Sequence, residues 1–170
     1  MSQKPLSRLR FNFGFLLEAN LGESRTIELN YPKIRVAEDV TLIPLQGEFK
    51  ATRTSEGVYI AGTLNTTVLT ECVRCLTPFL QPVKLHLNEL FYYPPSTAPK
   101  GESIVGENGF IDLSPLVREL SLLDLPMRPI CRPDCLGLCQ ECGKNLNEGD
   151  CGCREDDIDP RFSILGQLLE

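Results

Sequence analysis

The stretch "GVYIAGTLNTTVLTECV", Gly57 to Val73, is rich in β-branched and aromatic residues and runs straight into a cysteine pair. It reads as a long strand that delivers Cys72 and Cys75, in "CVRC", to one end of a sheet. The runs on either side have the same character. "TLIPLQGEFKATRT" precedes it, and "TSEG" (Thr54 to Gly57) supplies turn residues for a hairpin between the two. "FLQPVKLHLNELFYY" follows, with Val83, Leu85 and Leu87 alternating against Lys84, His86 and Asn88. Such alternation marks a strand with one face buried and one face wet. Farther upstream, "RFNFGFLLE" and "RTIELNY" read as two more strands. The expected fold class is therefore α+β, built on an antiparallel sheet, curled or barrel-like, over residues 1–93.

Residues 94–110 change character. "PPSTAPKGESIVGEN" is dominated by proline, glycine and polar residues and reads as a flexible loop. In "IDLSPLVRELSLLDLP", Ser114 is a good N-cap, Pro115 suits the first helical position and Pro126 stops the helix. Leu116, Leu120 and Leu123 are expected on one face, beside Leu113 and Val117, so the helix should pack on the sheet. A second short helix is expected in "DPRFSILGQLLE", with Asp159 as cap and an apolar stripe of Phe162, Leu165 and Leu169. Residues 111–170, with this helix pair and a cysteine-rich module between, should form one compact unit with the β-domain.

Six of the eight cysteines fall between Cys131 and Cys153. The apolar segment after the basic N-terminus is short, interrupted by Asn12 and Glu18, and lacks a small-residue cleavage site. That is a poor export signal, and a cytoplasmic setting is expected. In a reducing compartment clustered cysteines are metal ligands or redox groups more often than disulfides. "CQECGKN" places Cys139 and Cys142 on a tight turn whose backbone N–H groups can face the sulfurs, with Gly143 free to take a positive φ. Eight residues on, "CGC" adds Cys151 and Cys153. These four suffice for one tetrahedral Zn(II), and Cys72, Cys75, Cys131 and Cys135 could close a second site that clips the sheet to the module. Mixed ligand sets, or a pair left free, also satisfy the spacing. A redox C-x-x-C normally opens a helix, and neither pair is followed by one that convinces. Structural zinc, one ion or two, is the favoured reading over redox, iron–sulfur or disulfide chemistry.

Nothing in the chain suggests catalysis. His86, the one histidine, sits on the polar side of a strand, so no histidine-based triad is available. No phosphate-binding glycine motif occurs, and no small-molecule substrate is expected. No apolar run is long enough to span a bilayer as a helix. The formal charge is −6, and two all-thiolate zinc sites would take it to −10, since each adds −2. Between Glu141 and Asp159 stand seven acidic residues against Lys144 and Arg154. A phosphate backbone would be repelled by this module, which favours a basic protein as partner. Candidates for direct RNA contact are confined to Arg74, Arg8 and Arg10, with Lys4 beside them in the basic N-terminus.

Taken together, "CVRCLTPF" (Cys72 to Phe79), "IDLSPLVRELSLLDLPMRPIC" (Ile111 to Cys131), "CLGLCQECGKNLN" (Cys135 to Asn147), "CGC" and "DPRFSILGQL" (Asp159 to Leu168) resemble the YceD family, the large ribosomal RNA subunit accumulation proteins of bacteria and plastids. The resemblance covers most of the chain after about residue 60. It implies a non-enzymatic role in synthesis, processing or stability of 23S rRNA during large-subunit biogenesis. The expected partners are ribosome-assembly components, either pre-23S rRNA or a basic ribosomal protein. A redox-sensing or zinc-gated regulator and a direct RNA-binding zinc ribbon are the alternatives.

Overall fold

The computed structural model describes residues 9–153. The chain opens with strand β1 (Arg10–Asn12) and a one-turn helix, α1 (Gly14–Leu17). Then come β2 (Ser24–Tyr31), β3 (Ile34–Arg35), β4 (Thr41–Arg53), β5 (Gly57–Glu71) and β6 (Pro78–Tyr92). Strand β7 (Phe110–Asp112) leads into helix α2 (Ser114–Leu123), and the cysteine-rich segment follows. The expected C-terminal helix at 159–170 lies outside the described residues.

The main sheet has the order β2-β4-β5-β6, antiparallel throughout, with β3 paired to the start of β4. It is open. Closure needs the outer strands to pair with each other, and β2 (8 residues) and β6 (15 residues) do not. The barrel-like reading is thus corrected to an open sheet whose apolar face is covered by other elements. Strands β1 and β7 pair with each other, and with α1 and α2 they supply Leu9, Phe13, Leu16, Ile111, Leu113 and Val117 to the common core.

Local chemistry explains each element. The β4–β5 hairpin turns at Thr54, whose amide donates to the Gly57 carbonyl (2.9 Å) while its hydroxyl accepts from the Gly57 amide (3.1 Å). Along β6, Val83, Leu85 and Leu87 are buried while Lys84, His86 and Asn88 are exposed, as the alternation required. Phe49 on β4 faces Gly62 on β5. A Cβ at Gly62 would sit 2.5 Å from the Phe49 Cα, so only glycine lets the strands approach here. Phe11 and Phe13 then pack edge-on to Phe49, with centroids at 5.5 and 6.5 Å.

Two expectations give way to packing. The stretch 10–18 is a strand only to Asn12, whose side-chain oxygen accepts from the Gly14 amide (2.8 Å) and turns the chain. Phe13 and Leu16, three apart, enter the core on a helical turn while Phe15 remains half exposed. In α2 the cap position is Leu113, and the Asp112 carboxylate accepts from the Ser114 amide (2.9 Å). Its buried row is Leu113, Val117 and Ser121, four residues apart, with Leu116 and Leu120 at the margin. Leu123 is 71% exposed, because two residues past Ser121 is the opposite side of a 3.6-residue turn. Ser121 donates its hydroxyl to the Val117 carbonyl (2.6 Å), which lets a polar side chain fill that core position. Arg118, on the outer side, holds Asp39 in a two-pronged ion pair. That hydrogen bond keeps the Asp39 carboxyl below its usual range.

The 94–110 segment is tied down at its middle. The Tyr92 amide donates to the Ser103 carbonyl (2.9 Å), the Val105 amide donates to the Tyr92 carbonyl (3.0 Å), and the Val105 side chain is fully buried. It crosses from the end of β6 to β7, which sets α2 and the cysteine-rich segment against the sheet.

Candidate metal centres

Strand β5 ends at Glu71, and the chain turns at once through Cys72–Val73–Arg74–Cys75 before β6 begins at Pro78. The Cys72 amide donates to the Thr77 carbonyl (3.0 Å) and the Leu76 amide to the Cys72 carbonyl (2.9 Å). The returning chain is laid along this turn on both sides. The Val73 amide donates to the Pro129 carbonyl (2.9 Å), and the Leu138 amide to the Arg74 carbonyl (3.0 Å). Cys131 and Cys135 are thereby carried to Cys72 and Cys75.

The four sulfurs of this cluster all lie within 4.8 Å of one another. The Cys72 and Cys135 sulfurs are 3.8 Å apart, and those of Cys75 and Cys131 are 3.7 Å apart. A disulfide would require about 2.05 Å. A tetrahedral Zn(II) with bonds of about 2.3 Å separates its sulfurs by about 3.8 Å. The donor set therefore fits the metal and not a disulfide. Cys72, Cys75 and Cys135 are buried, packed by Phe79, Ile130 and Leu138.

Cys139, Cys142, Cys151 and Cys153 form a second group, again with all sulfurs within 4.8 Å. Its turn is closed by the Cys139 amide donating to the Lys144 carbonyl (2.8 Å) and the Gly143 amide to the Cys139 carbonyl (2.9 Å). Gly143 and Gly152 have φ of 71° and 75°, conformations that glycine takes without strain. This group is more open. Cys142 and Cys153 are exposed, and Cys139 and Cys151 are half-buried. The structure thus brings the eight cysteines together in two sets of four, with no cysteine shared between them.

Within each group some thiols are pushed down and others up by what surrounds them. Burial pushes the Cys72 thiol up, but backbone N–H groups of Cys131, Cys75 and Arg74 outweigh it and bring it to about 6. Burial, with the neighbouring sulfurs of Cys72, Cys75 and Cys135, pushes Cys131 up to about 12. In the second group, N–H groups of Cys142 and Glu141 bring Cys139 down to about 7. Hydrogen bonding to Cys142 and Cys151 holds Cys153 up at about 12. Hydrogen bonding thus favours a thiolate at Cys72 and at Cys139, while neighbouring sulfurs oppose one at Cys131 and at Cys153. A dication held by the four sulfurs would favour the thiolate form of each, which would couple proton release to metal binding.

Side chains that spacing did not single out support the sulfurs. Asn147 donates from its amide to Cys135 Sγ (3.4 Å) while its Oδ1 accepts from Arg132 (2.7 Å) and from the Leu136 amide (2.9 Å). Thr77 Oγ1 lies 3.4 Å from Cys75 Sγ, and Asn145 donates to the same hydroxyl (3.4 Å). The signal was present in "GKNLN", where two asparagines flank one leucine, but it reads equally well as turn chemistry. Such supporting partners tune thiolate sites, and if the first cluster takes up Zn(II), Asn147→Ala should weaken that affinity by ~10–100-fold. Competition with a chromogenic chelator measures it.

Of the RNA-contact candidates, Arg74 donates to the Cys135 carbonyl (2.9 Å) and so pins the two halves of the first cluster. Arg10 lies over the Phe110 ring, 4.4 Å from its centroid. Arg8 and Lys4 lie outside the described residues.

The model of the family described as "Large ribosomal RNA subunit accumulation protein YceD" matches residues 60–169. The chain is 41% identical over 119 residues to the uncharacterized protein Rv2926c of Mycobacterium tuberculosis, covering 68% of this chain and 57% of that one. It therefore spans little more than half the length of that relative. It is 27% identical over 151 residues to the uncharacterized protein YlbN of Bacillus subtilis, covering 85% and 86% of the two chains. A 60-residue stretch is 38% identical to the chloroplastic "Large ribosomal RNA subunit accumulation protein YCED homolog 1" of Arabidopsis thaliana, covering 35% of this chain and 19% of that one. No solved structure matches. The family match extends over well more than half of the chain and takes in both four-sulfur clusters, and the chain belongs to the YceD family.

Proposed function

We propose that the protein is a non-enzymatic accessory factor in the synthesis, processing or stability of 23S rRNA, acting in the cytoplasm during large-subunit biogenesis. Each cysteine group holds one structural Zn(II): Cys72, Cys75, Cys131 and Cys135 the first, Cys139, Cys142, Cys151 and Cys153 the second. The observation that carries the metal reading is the sulfur spacing of 3.7–3.8 Å in the first cluster, inside a family named for large-subunit rRNA accumulation. A zinc closed by four thiolates has no open coordination position, so its task is shape and not chemistry on a substrate.

Charge chooses the partner. The −6 chain becomes more negative with each tetrathiolate site, and Arg74 is already engaged with Cys135. A basic large-subunit protein is the better complement, with pre-23S rRNA reached through it. Among the described residues no helix is long and apolar enough to cross a membrane.

Capture of the tagged protein from growing cells tests this reading. Large-subunit proteins and pre-23S rRNA should be enriched together, and depletion of the protein should lower 23S relative to 16S rRNA. An unchanged ratio on depletion would overturn the assignment. Strong rRNA crosslinks at the zinc module would overturn the choice of a protein partner.

A further inference from the structure

Building on the two-metal reading, we propose that the two clusters differ in kind. The group of Cys139, Cys142, Cys151 and Cys153 is an exchangeable centre that hydroperoxides open, whereas the group at Cys72 keeps its ion.

Three observations separate them. The first is access. Three of the four sulfurs of the Cys72 group belong to buried residues under Phe79, Ile130 and Leu138, while Cys142 and Cys153 of the second group face solvent. The second is anchorage. The Cys72 group is fixed to the end of a 15-residue strand, and the Val73, Arg74 and Leu138 backbones lace its two halves together. The 150–153 arm of the second group is, among the described residues, tied less firmly to the rest of the fold. Among the described residues, the hydrogen bond reaching this arm from elsewhere runs from Lys144 Nζ to the Asp150 carbonyl (2.8 Å), and the Gly152 amide bonds within the arm to Asp150 (3.0 Å). The third is support around sulfur. Asn147 donates a side-chain N–H to Cys135 Sγ, a hydrogen bond that damps the charge on a thiolate and its nucleophilicity.

The chemistry balances with a hydroperoxide as oxidant. An exposed thiolate, Cys142 or Cys153, attacks the peroxide oxygen; the O–O bond breaks, a sulfenic acid forms and hydroxide leaves. A neighbouring thiolate of the same group, within 4.8 Å, attacks that sulfur, forms the disulfide and expels a second hydroxide. Two thiolates have lost two electrons, the peroxide has gained them, and the ion, left with two ligands, departs. The arm that carries Cys151 and Cys153 then parts from the knuckle at Cys139, while the sheet and the first cluster stay together.

The experiment uses the full chain purified with its metal. Zinc is counted first, hydrogen peroxide is then added in the presence of a chromogenic chelator, and the thiols are mapped by differential alkylation and mass spectrometry. The expected result is loss of one of two zincs in a fast phase, one disulfide confined to Cys139, Cys142, Cys151 and Cys153, and the Cys72 group still reduced. Cys142→Ser and Cys153→Ser should each slow disulfide formation in this group and the two together should abolish it, with unchanged unfolding of the sheet as the control. Two zincs released together, or the first released from the Cys72 group, would overturn this inference and leave the two-metal reading standing. A protein that purifies with no zinc and intact fold would overturn both.

Discussion

Cys72→Ser is expected to reduce bound zinc from two per chain to one and to destabilise the fold by more than about 4 kcal/mol. The unfolded chain has no preformed site, so the free energy of binding the ion is free energy of folding. The loss should be larger here than at the other cluster because of what the Cys72 group joins. Its sulfurs connect the β5–β6 end of the sheet to the segment after α2, and Val73, Arg74 and Leu138 make their backbone hydrogen bonds across the same seam. A serine at a fully buried position also leaves a hydroxyl where a thiolate was. Denaturant unfolding with parallel metal analysis measures both effects. Two zincs retained and an unchanged midpoint would refute the clip.

The second large effect is expected far from the metal. Phe49→Ala should cost about 3–5 kcal/mol, the range for removing a buried aromatic side chain. Phe49 is 1% exposed, and both Phe11 and Phe13 lean edge-on against it. Gly62 lies opposite it and has no side chain to move into the space, so the site can collapse little. Because Phe11 and Phe13 belong to β1 and the turn into α1, hydrogen exchange in residues 9–17 should rise along with the global loss. A destabilisation under about 1 kcal/mol, the ordinary size for a point mutation, would mean the aromatic cluster is not central to the core.

Much of this architecture is legible in the sequence. The period-two alternation in β6 and the Thr54–Gly57 turn followed from one buried face and turn chemistry, which are local. The cysteine spacing also divided the residues as the geometry later grouped them, although spacing alone left mixed pairing open. What escaped depends on distant parts of the chain. Whether the sheet closes is decided by its outermost strands, and no residue of β2 or β6 announces that they stay apart. Phe13 and Leu16 turn into a helix because a core lies on that side, and Leu123 swings outward because Ser121, satisfied by its own helix, could take the inner position. Asn147 was missed for the same reason: its partner Cys135 is brought near by a loop, not by spacing along a periodic element.

The sequence separations inside the two clusters set an order of assembly. Cys72 and Cys135 are 63 residues apart, whereas the whole second group fits between positions 139 and 153. Closing the longer loop costs about 1.3 kcal/mol more in chain entropy, and in the native fold β6, β7 and α2 lie between its ends. The shorter group can capture an ion as a free peptide would, while the rest of the chain is still unfolded. Contacts of high sequence separation form late and slow a chain's folding. On the two-metal reading proposed above, the ion of the Cys72 group is therefore the later of the two to be taken up.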